Sequence, residues 1–268
     1  MNEVCVLKLC WIHPTTTNDS LASLWEKLDH VIRPILRDGT ELEFRFLEKS
    51  GNFVRSLYAE HLNSVHIVEA AMKAEADGFD GVFIGCWNDP LWEAREILSV
   101  PVGSVSEQSM LSALPMGRRF AVITVSHKTT IAIENDLRAY GLTNRAINRP
   151  VRTIEPESDA DLLLGAVEDP YKEFIPRLEA VAADCIRDGA EVILIGCAYY
   201  GPLLRAAGYT EIPGTGVMVL DSTSVALKQV ESMVDIHQSL GFLKSNRLNL
   251  KAPPRDALDR QRENLSLI

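Results

Sequence analysis

The sequence predicts an α/β protein of two lobes related by a pseudo-twofold axis, each a parallel sheet flanked by helices, with a cleft between them. Short continuous apolar runs alternate with helical patterns, which is typical of strands covered on both faces of a parallel sheet. At 268 residues the chain is too long for one compact core. Two segments of eleven residues, at 76–86 and 187–197, resemble each other and are identical at five positions. Together these observations indicate a duplicated architecture.

The predicted elements follow the chain in order. A β-rich run over 4–11 is followed by a helix whose apolar residues recur from Leu21 to Ile35. A strand at 42–46 alternates apolar and charged residues like an exposed sheet edge, and a helical pattern fills 52–77. Further buried strands are predicted at 81–85, 102–105, 120–125, 192–195 and 217–220.

Lobe boundaries are predicted where breaker residues separate complete strand-helix series. Pro115 and Gly117 precede a new strand at Phe120, and a second boundary is expected at 213–216. The helical pattern over 222–240 is expected to pack back on the first lobe. The first lobe then comprises 1–115 plus 217–268, and the second comprises 116–216. Residues beyond Lys244 are polar and form either a loose tail or an arm that contacts another subunit.

Charge and composition exclude several classes of protein. Lys and Arg number 27 against 37 Asp and Glu, giving a net charge of −10 without a basic stripe, which argues against nucleic acid and anionic membranes as partners. No apolar run reaches the ~18 residues of a membrane span. The start of the chain lacks the cationic segment of a signal peptide, so we expect a cytoplasmic protein. Five cysteines do not indicate a disulfide framework.

Each copy of the repeat ends in a Gly-Cys pair, Gly85-Cys86 and Gly196-Cys197, directly after a predicted buried strand. In open α/β sheets, ligands bind in the crevice beyond the carboxyl ends of the strands. A pseudo-twofold axis would therefore bring Cys86 and Cys197 to opposite sides of one cleft. Two thiols on opposite faces of a carbon can act as general base and general acid, which inverts its configuration.

This chemistry requires neither a cofactor nor a metal. A helix N-terminus can lower a cysteine pKa of ~8.5 toward neutrality, and both sulfurs lie at predicted strand-to-helix turns. Backbone N–H groups of Asn88, Ala198 and Tyr199 are candidates to bind a carboxylate or a developing enolate oxygen. The predicted partner is thus a small molecule that carries a carboxylate or carbonyl group.

The sequence resembles the aspartate/glutamate/hydantoin racemases over roughly residues 4–240, and most closely the hydantoin racemase branch. By this resemblance Cys86 and Cys197 are the catalytic bases, and the loops at Thr16, Asn88, Thr124 and Ala198 hold polar groups of the substrate. The resemblance also implies that the small-molecule substrate is a carboxylate or a hydantoin-like compound. In place of that branch's Asn-Pro-Asn-Thr-Thr, the chain has a segment beginning at His13. The matching segments are Ile12–Thr17, Gly39–Glu43, Gly85–Pro90, Gly117–Thr124 and Gly196–Ala198.

Three further residues are candidates to line the cleft. Trp87 and Tyr199 lie close behind the two cysteines, and His13 follows the first strand. Cys10 and His13 form half of a zinc pattern, but no second pair stands at a matching distance, so no metal is predicted. His127 is either a cleft residue or an exposed residue of a first helical turn. Packing is the expected role of Cys5, Cys10, Cys185, Trp25 and Trp92.

Other functions remain open for the same cleft. The resemblance includes a decarboxylase of arylmalonates, which keeps only the second cysteine, and a maleate cis–trans isomerase, in which a thiolate adds to the double bond. A small-molecule binding protein without turnover is a further alternative. A thiol redox protein is disfavoured because a whole lobe separates the two sulfurs. We also expect a homo-oligomer.

Overall fold

The computed structural model describes residues 6–51, 55–87 and 90–267. The first lobe is built on a parallel sheet of four strands in the order β2-β1-β3-β4. Its strands are β1 (Leu7–Ile12), β2 (Thr40–Arg45), β3 (Gly81–Ile84) and β4 (Val102–Ser104). Its helices are α1 (Ala22–Ile32), α2 (Leu57–Ala76), α3 (Leu91–Ile97) and α4 (Val105–Ala113).

The second lobe holds a sheet of five strands in the order β6-β5-β7-β9-β8, in which β8 is an antiparallel edge strand. The strands are β5 (Phe120–Thr124), β6 (Ala146–Thr153), β7 (Val192–Gly196), β8 (Glu211–Ile212) and β9 (Val217–Leu220). The helices are α5 (His127–Ala139), α6 (Ala160–Glu168), α7 (Phe174–Arg187) and α8 (Tyr200–Ala206). Two further helices, α9 (Ser222–Leu240) and α10 (Arg255–Asn264), follow along the chain.

The two sheets share one topology. The order β2-β1-β3-β4 of the first lobe is repeated as β6-β5-β7-β9 in the second, with every one of these pairs parallel. The predicted fold of two parallel-sheet lobes is therefore confirmed. In each sheet the chain adds a strand on one side of the first strand and then crosses to its other side. This reversal creates a crevice beside the carboxyl end of the first strand.

The lobe boundary predicted before Val217 is wrong for one element. β9 hydrogen-bonds to β7 in the second sheet, because its apolar side chains complete the core of that sheet. The helix after it, α9, packs on α4 and on the first-lobe strands β3 and β4. Gly103 permits this close approach, since a Cβ there would overlap a methyl group of Val230.

The lobes share one continuous apolar cluster. It includes Trp11 and Phe83 of the first sheet and Val122 and Leu194 of the second, all buried. The outer face of each sheet has a separate cluster of its own. Shared burial of this kind packs the two lobes against each other.

The segment after Lys244 is docked on the first lobe. Arg262 of α10 binds the carboxylate of Glu69 on α2 through two nitrogens, at 2.7 to 3.1 Å. Lys244 Nζ donates to the carbonyl oxygen of Glu96 at 2.5 Å, near the end of α3. Within the chain, this segment is therefore not a loose tail, and a contact with another subunit stays a prediction. Among the described residues, no helix is long and apolar enough to cross a membrane.

Candidate active site

The two cysteines occupy equivalent positions at the crevices of the two sheets. Gly85, after β3, donates its N–H to the carbonyl oxygen of Ile12 at 3.0 Å, so Cys86 follows beside the end of β1. Gly196 is paired with Thr124 at the end of β5, so Cys197 follows beside that strand. Each thiol therefore lies where the strand order of its sheet reverses, which is the position at which α/β sheets bind ligands.

Residues that directly follow the two cysteines pack where the lobes are in contact. The ring of Tyr199, two residues after Cys197, lies 5.3 Å from the ring of Trp25 on α1 and 6.1 Å from that of His13. Trp87 and Ala198, the residues that directly follow the two cysteines, belong to the same buried cluster. The two Gly-Cys segments therefore border one region between the lobes.

Exposure separates the two candidate cysteines from the packing cysteines. Cys86 and Cys197 each retain part of their surface, whereas Cys10 and Cys185 are fully buried. Burial raises the pKa of Cys10 to about 12 and that of Cys185 to about 11, so both remain thiols at neutral pH. The predicted packing role of these two residues is confirmed. Cys5 lies outside the described residues.

Opposing effects act on the Cys197 sulfur. Crowding by the surrounding protein raises its pKa, while backbone N–H groups of Tyr199 and Tyr200 and the positive charge of Arg55 lower it. Burial is the largest effect, so the pKa lies above its ordinary value. Arg55 belongs to the first lobe and is held against the second, where its guanidinium donates to the carbonyl oxygen of Ser158.

Both glycines before the cysteines are required by close packing. A Cβ at Gly85 would overlap the indole nitrogen of Trp11. A Cβ at Gly196 would lie 2.9 Å from Cβ of Thr124 and from a methyl group of Val122. Because real Cβ atoms do not approach so closely, any other residue at these positions would shift the strand end that carries the thiol.

His13 is enclosed by aromatic rings, and neither ring nitrogen has a hydrogen-bond partner among the described residues. Its imidazole stacks between Trp11, at 4.8 Å, and Phe46, at 4.6 Å. Complete burial lowers its pKa from 6.5 to about 3, so the ring is uncharged at neutral pH. The indole nitrogens of Trp25 and Trp87 are also buried and unpaired. Buried polar atoms are normally bonded, so this group is unusual and marks the region as a candidate ligand site.

The predicted polar residues have different surroundings. Thr124 is buried, and its hydroxyl donates to the carbonyl oxygen of Gly196 at 2.9 Å, which braces the strand before Cys197. Thr16 is partly exposed, and its backbone N–H donates to Ser50 Oγ at 3.0 Å. Ala198 is buried, and its carbonyl oxygen accepts a hydrogen bond from Thr223 at 2.7 Å. Asn88 lies outside the described residues.

The exposure of the side chains decides the predictions made for His127 and Trp92. His127 begins α5, is 68% exposed and pairs with Glu155, so its alternative as an exposed first-turn residue is correct. Trp92 is 48% exposed, and its predicted place in the core is wrong. Its helix is short and presents that side chain to solvent. No group of residues that could hold a metal ion is found within the described ranges.

Sequence reasoning missed Arg55 and Trp11 as parts of this site. Trp11 reads as an ordinary strand residue, and only its register with Phe83 places its ring over Gly85. Arg55 lies outside any motif, in the segment before α2, and reaches Cys197 only through the contact between the lobes. No pattern of spacing along the chain predicts the contact of Trp11 with Gly85 or that of Arg55 with Cys197.

The molecule is thus a two-lobed α/β protein with a duplicated Gly-Cys turn, one after the third strand along the chain in each sheet. The chain belongs to the Asp/Glu/Hydantoin racemase family, whose sequence model matches residues 12–230. The family is described by its racemases, and racemases are isomerases, so the predicted resemblance and enzyme class are confirmed.

Similar proteins extend this comparison. A hydantoin racemase from Pseudomonas sp. (strain NS671) is 26% identical over 248 residues, covering 89% of this chain and 90% of the relative. A hydantoin racemase from Rhizobium meliloti is 31% identical over 189 residues, covering 68% of this chain and 70% of the relative. The solved allantoin racemase from Klebsiella pneumoniae superposes with a TM-score of 0.75 over 97% of this chain and 98% of its own, at 24% identity. That likeness shows the fold.

Proposed function

We propose that this protein is a cofactor-independent racemase or epimerase in which Cys86 and Cys197 exchange a proton at the α-carbon of an amino acid or hydantoin-like compound. The carrying observation is the equivalent position of the two thiols, each after the strand beside the reversal point of its sheet. The contact of Tyr199 with His13 and Trp25 supports a shared crevice.

The proposed step balances without another reactant. A thiolate on one face of the α-carbon removes its proton, forming an S–H bond as the C–H bond breaks. The electron pair passes into the adjacent carbonyl as an enolate. The thiol on the opposite face then gives its proton to the carbon, forming the inverted C–H bond and leaving a thiolate. The enzyme ends with its proton on the other sulfur and can process the opposite enantiomer.

The environment of Cys197 suits the thiol that gives up its proton. Burial keeps its pKa above the ordinary value, so in the free protein the proton is retained at neutral pH. The amides of Tyr199 and Tyr200 and the charge of Arg55 then stabilise the thiolate left behind. Thr124 and Gly196 contribute by holding the strand end in place.

Among the candidate substrates, the surroundings of His13 favour a cyclic ureide such as a hydantoin. A neutral imidazole offers one N–H donor and one acceptor nitrogen, and either of them can pair with a C=O or an N–H group of a ureide ring. An α-carboxylate would be better matched by a cation. The hydantoin racemases among the similar proteins and the solved allantoin racemase, named for ureide substrates, agree with this choice.

Matched substrate pairs test the proposal: 5-methyl-, 5-isopropyl- and 5-benzylhydantoin against alanine, valine and phenylalanine. Each is incubated in D2O as one enantiomer and followed by chiral chromatography and NMR, with spontaneous exchange measured without enzyme. We expect inversion of at least one hydantoin, with deuterium entering the product before the recovered substrate. Early deuterium in both would indicate a single base and contradict the two-thiol assignment.

Variants assign the roles. Removing either thiol, in Cys86→Ala or Cys197→Ala, should reduce inversion by about a hundredfold or more. Cys185→Ala, which removes a buried thiol from α7, is the matched control and should retain turnover. Inversion that persists in the Cys86→Ala/Cys197→Ala double variant would overturn the mechanism. Carbon dioxide release, double-bond isomerisation, or tight binding without exchange would favour the decarboxylase, isomerase or binding-protein alternatives.

His13 variants separate substrate recognition from chemistry. His13→Asn keeps a donor and an acceptor, whereas His13→Leu keeps neither. We expect KM for the hydantoin to rise in the leucine variant well above that in the asparagine variant. Equal KM values in the two variants would show that His13 does not take part in substrate recognition.

A cytoplasmic location and a homo-oligomeric state stay predictions from the sequence.

A further inference from the structure

An open surface cavity lies at the connection between the two lobes. Its volume is about 660 Å³, and it is bounded by the link from α4 to β5 and by the start of β6. The residues lining it are Leu114, Pro115, Met116, Gly117, Arg118, Arg119, Asn144 and Arg145. The cavity lies at the amino ends of β5 and β6, whereas the cysteines follow carboxyl ends. A strand of five residues, about 16 Å long, separates the two edges of the sheet.

Three of the eight lining residues are arginines, and their guanidinium groups have no carboxylate partner in the part of the chain that the structure describes. Ion pairs involve thirteen of the eighteen arginines in that part, and three of the remaining five line this cavity. Glu191 is the adjacent acid, and its carboxylate accepts the backbone N–H of Arg118 at 2.6 Å.

Arg145 is held in a defined orientation. Its Nη2 donates to the carbonyl oxygens of Leu114, at 2.9 Å, and Gly117, at 3.2 Å. Its Nε donates to the carbonyl oxygen of Arg118 at 3.1 Å. These bonds satisfy carbonyls after the end of α4 and keep the charge at the wall of the cavity. The exposed side chains of Arg118 and Arg119 carry no such bonds among the described residues.

We propose that this cavity is a binding site for a small molecule bearing a dianionic oxyanion group, such as a phosphate ester or a dicarboxylate. A planar guanidinium pairs with two oxygens of such a group at once, and several together favour a charge of −2. The protein as a whole carries a net charge of −10, which disfavours anions elsewhere on its surface. The site is independent of the proposed reaction, because no cysteine borders it.

Isothermal titration at low ionic strength, with inorganic phosphate, malonate and glycerol 3-phosphate as probes, tests the site. The Arg118→Gln/Arg119→Gln variant removes two charges from the cavity. The matched control, Arg149→Gln/Arg247→Gln, removes two charges from exposed arginines elsewhere that likewise form no described ion pair. We expect saturable binding of at least one probe to wild type and control, and binding about tenfold or more weaker in the cavity variant.

Thermal unfolding gives a second readout. A ligand that binds the native state raises Tm with its concentration, and this increase should be smaller in the cavity variant than in the control. Equal affinity in both variants would place the anion elsewhere. Absence of saturable binding of every probe to the wild-type protein would overturn the proposal. Malonate binding without binding of either phosphate would narrow it to dicarboxylates, and the reverse result to phosphates.

Discussion

Acid sensitivity should originate at His13 and be removed by His13→Phe. The imidazole is fully buried between Trp11 and Phe46, and its pKa falls from 6.5 to about 3 in the folded protein. In the unfolded chain the ring takes up a proton once the pH drops below its ordinary pKa. In the folded protein the imidazole stays unprotonated until the pH approaches 3. Stability is therefore complete above pH 6.5 and declines as the pH falls between these two values.

The magnitude follows from proton linkage. Between pH 7.5 and pH 5, the difference in protonation lowers the free energy of unfolding by about 2 kcal/mol. Phenylalanine has a similar flat shape, preserves the stacking on both faces and takes up no proton. In His13→Phe this contribution to the pH dependence should therefore vanish, while the other titrating groups of the protein contribute as before.

Urea unfolding at pH 7.5, 6.5, 5.5 and 5.0 measures the effect, with tryptophan fluorescence and far-UV circular dichroism as probes. The quantity of interest is the pH dependence of wild type minus that of the variant. His61→Phe, which removes an imidazole from the exposed surface of α2, is the matched control. Parallel pH dependences of wild type and His13→Phe, or an equal loss in the His61 variant, would refute the reasoning.

Three further predictions concern packing, charge and docking. Gly85→Ala should destabilise the protein by about 1–3 kcal/mol in urea unfolding, because the new Cβ would overlap the indole of Trp11. Arg55→Gln removes a charge that lowers the pKa of Cys197, so the alkaline rise of kcat/KM for the enantiomer deprotonated there should move to higher pH. Arg262→Gln should free the docked C-terminal segment and speed its limited proteolysis, with little change in global Tm.

Matched variants decide these predictions. Gly165→Ala places a Cβ in open space on a helix and should cost nothing, so an equal loss at Gly85 and Gly165 would contradict the packing argument. Arg55→Lys keeps the charge and should keep the wild-type pH profile; a shift in both variants would indicate a structural cause. Arg260→Gln breaks an exposed pair within α10, and proteolysis as fast as in the Arg262 variant would refute docking through Glu69.

Local pattern predicted most of the regular structure. Continuous apolar runs located five of the nine described strands, and the helical pattern over 222–240 coincides with α9. The sequence did not predict strand β6, because Asn148, Arg149 and Arg152 interrupt its apolar residues and Pro150 is atypical of a strand. An edge strand tolerates such residues, since only one side of it is paired.

The sequence by itself determined the duplication, and with it the two Gly-Cys turns. A strand buried on both faces and the turn that follows it depend on the types of consecutive residues, so both can be recognised from the sequence. Only the tertiary structure decided which side of each sheet the chain crosses to, that β9 joins the second lobe, and that Arg55 reaches Cys197. It also decided that His13 is sealed among aromatic rings contributed by both lobes. Such contacts join residues distant along the chain, and their energies depend on burial and register that no local pattern encodes.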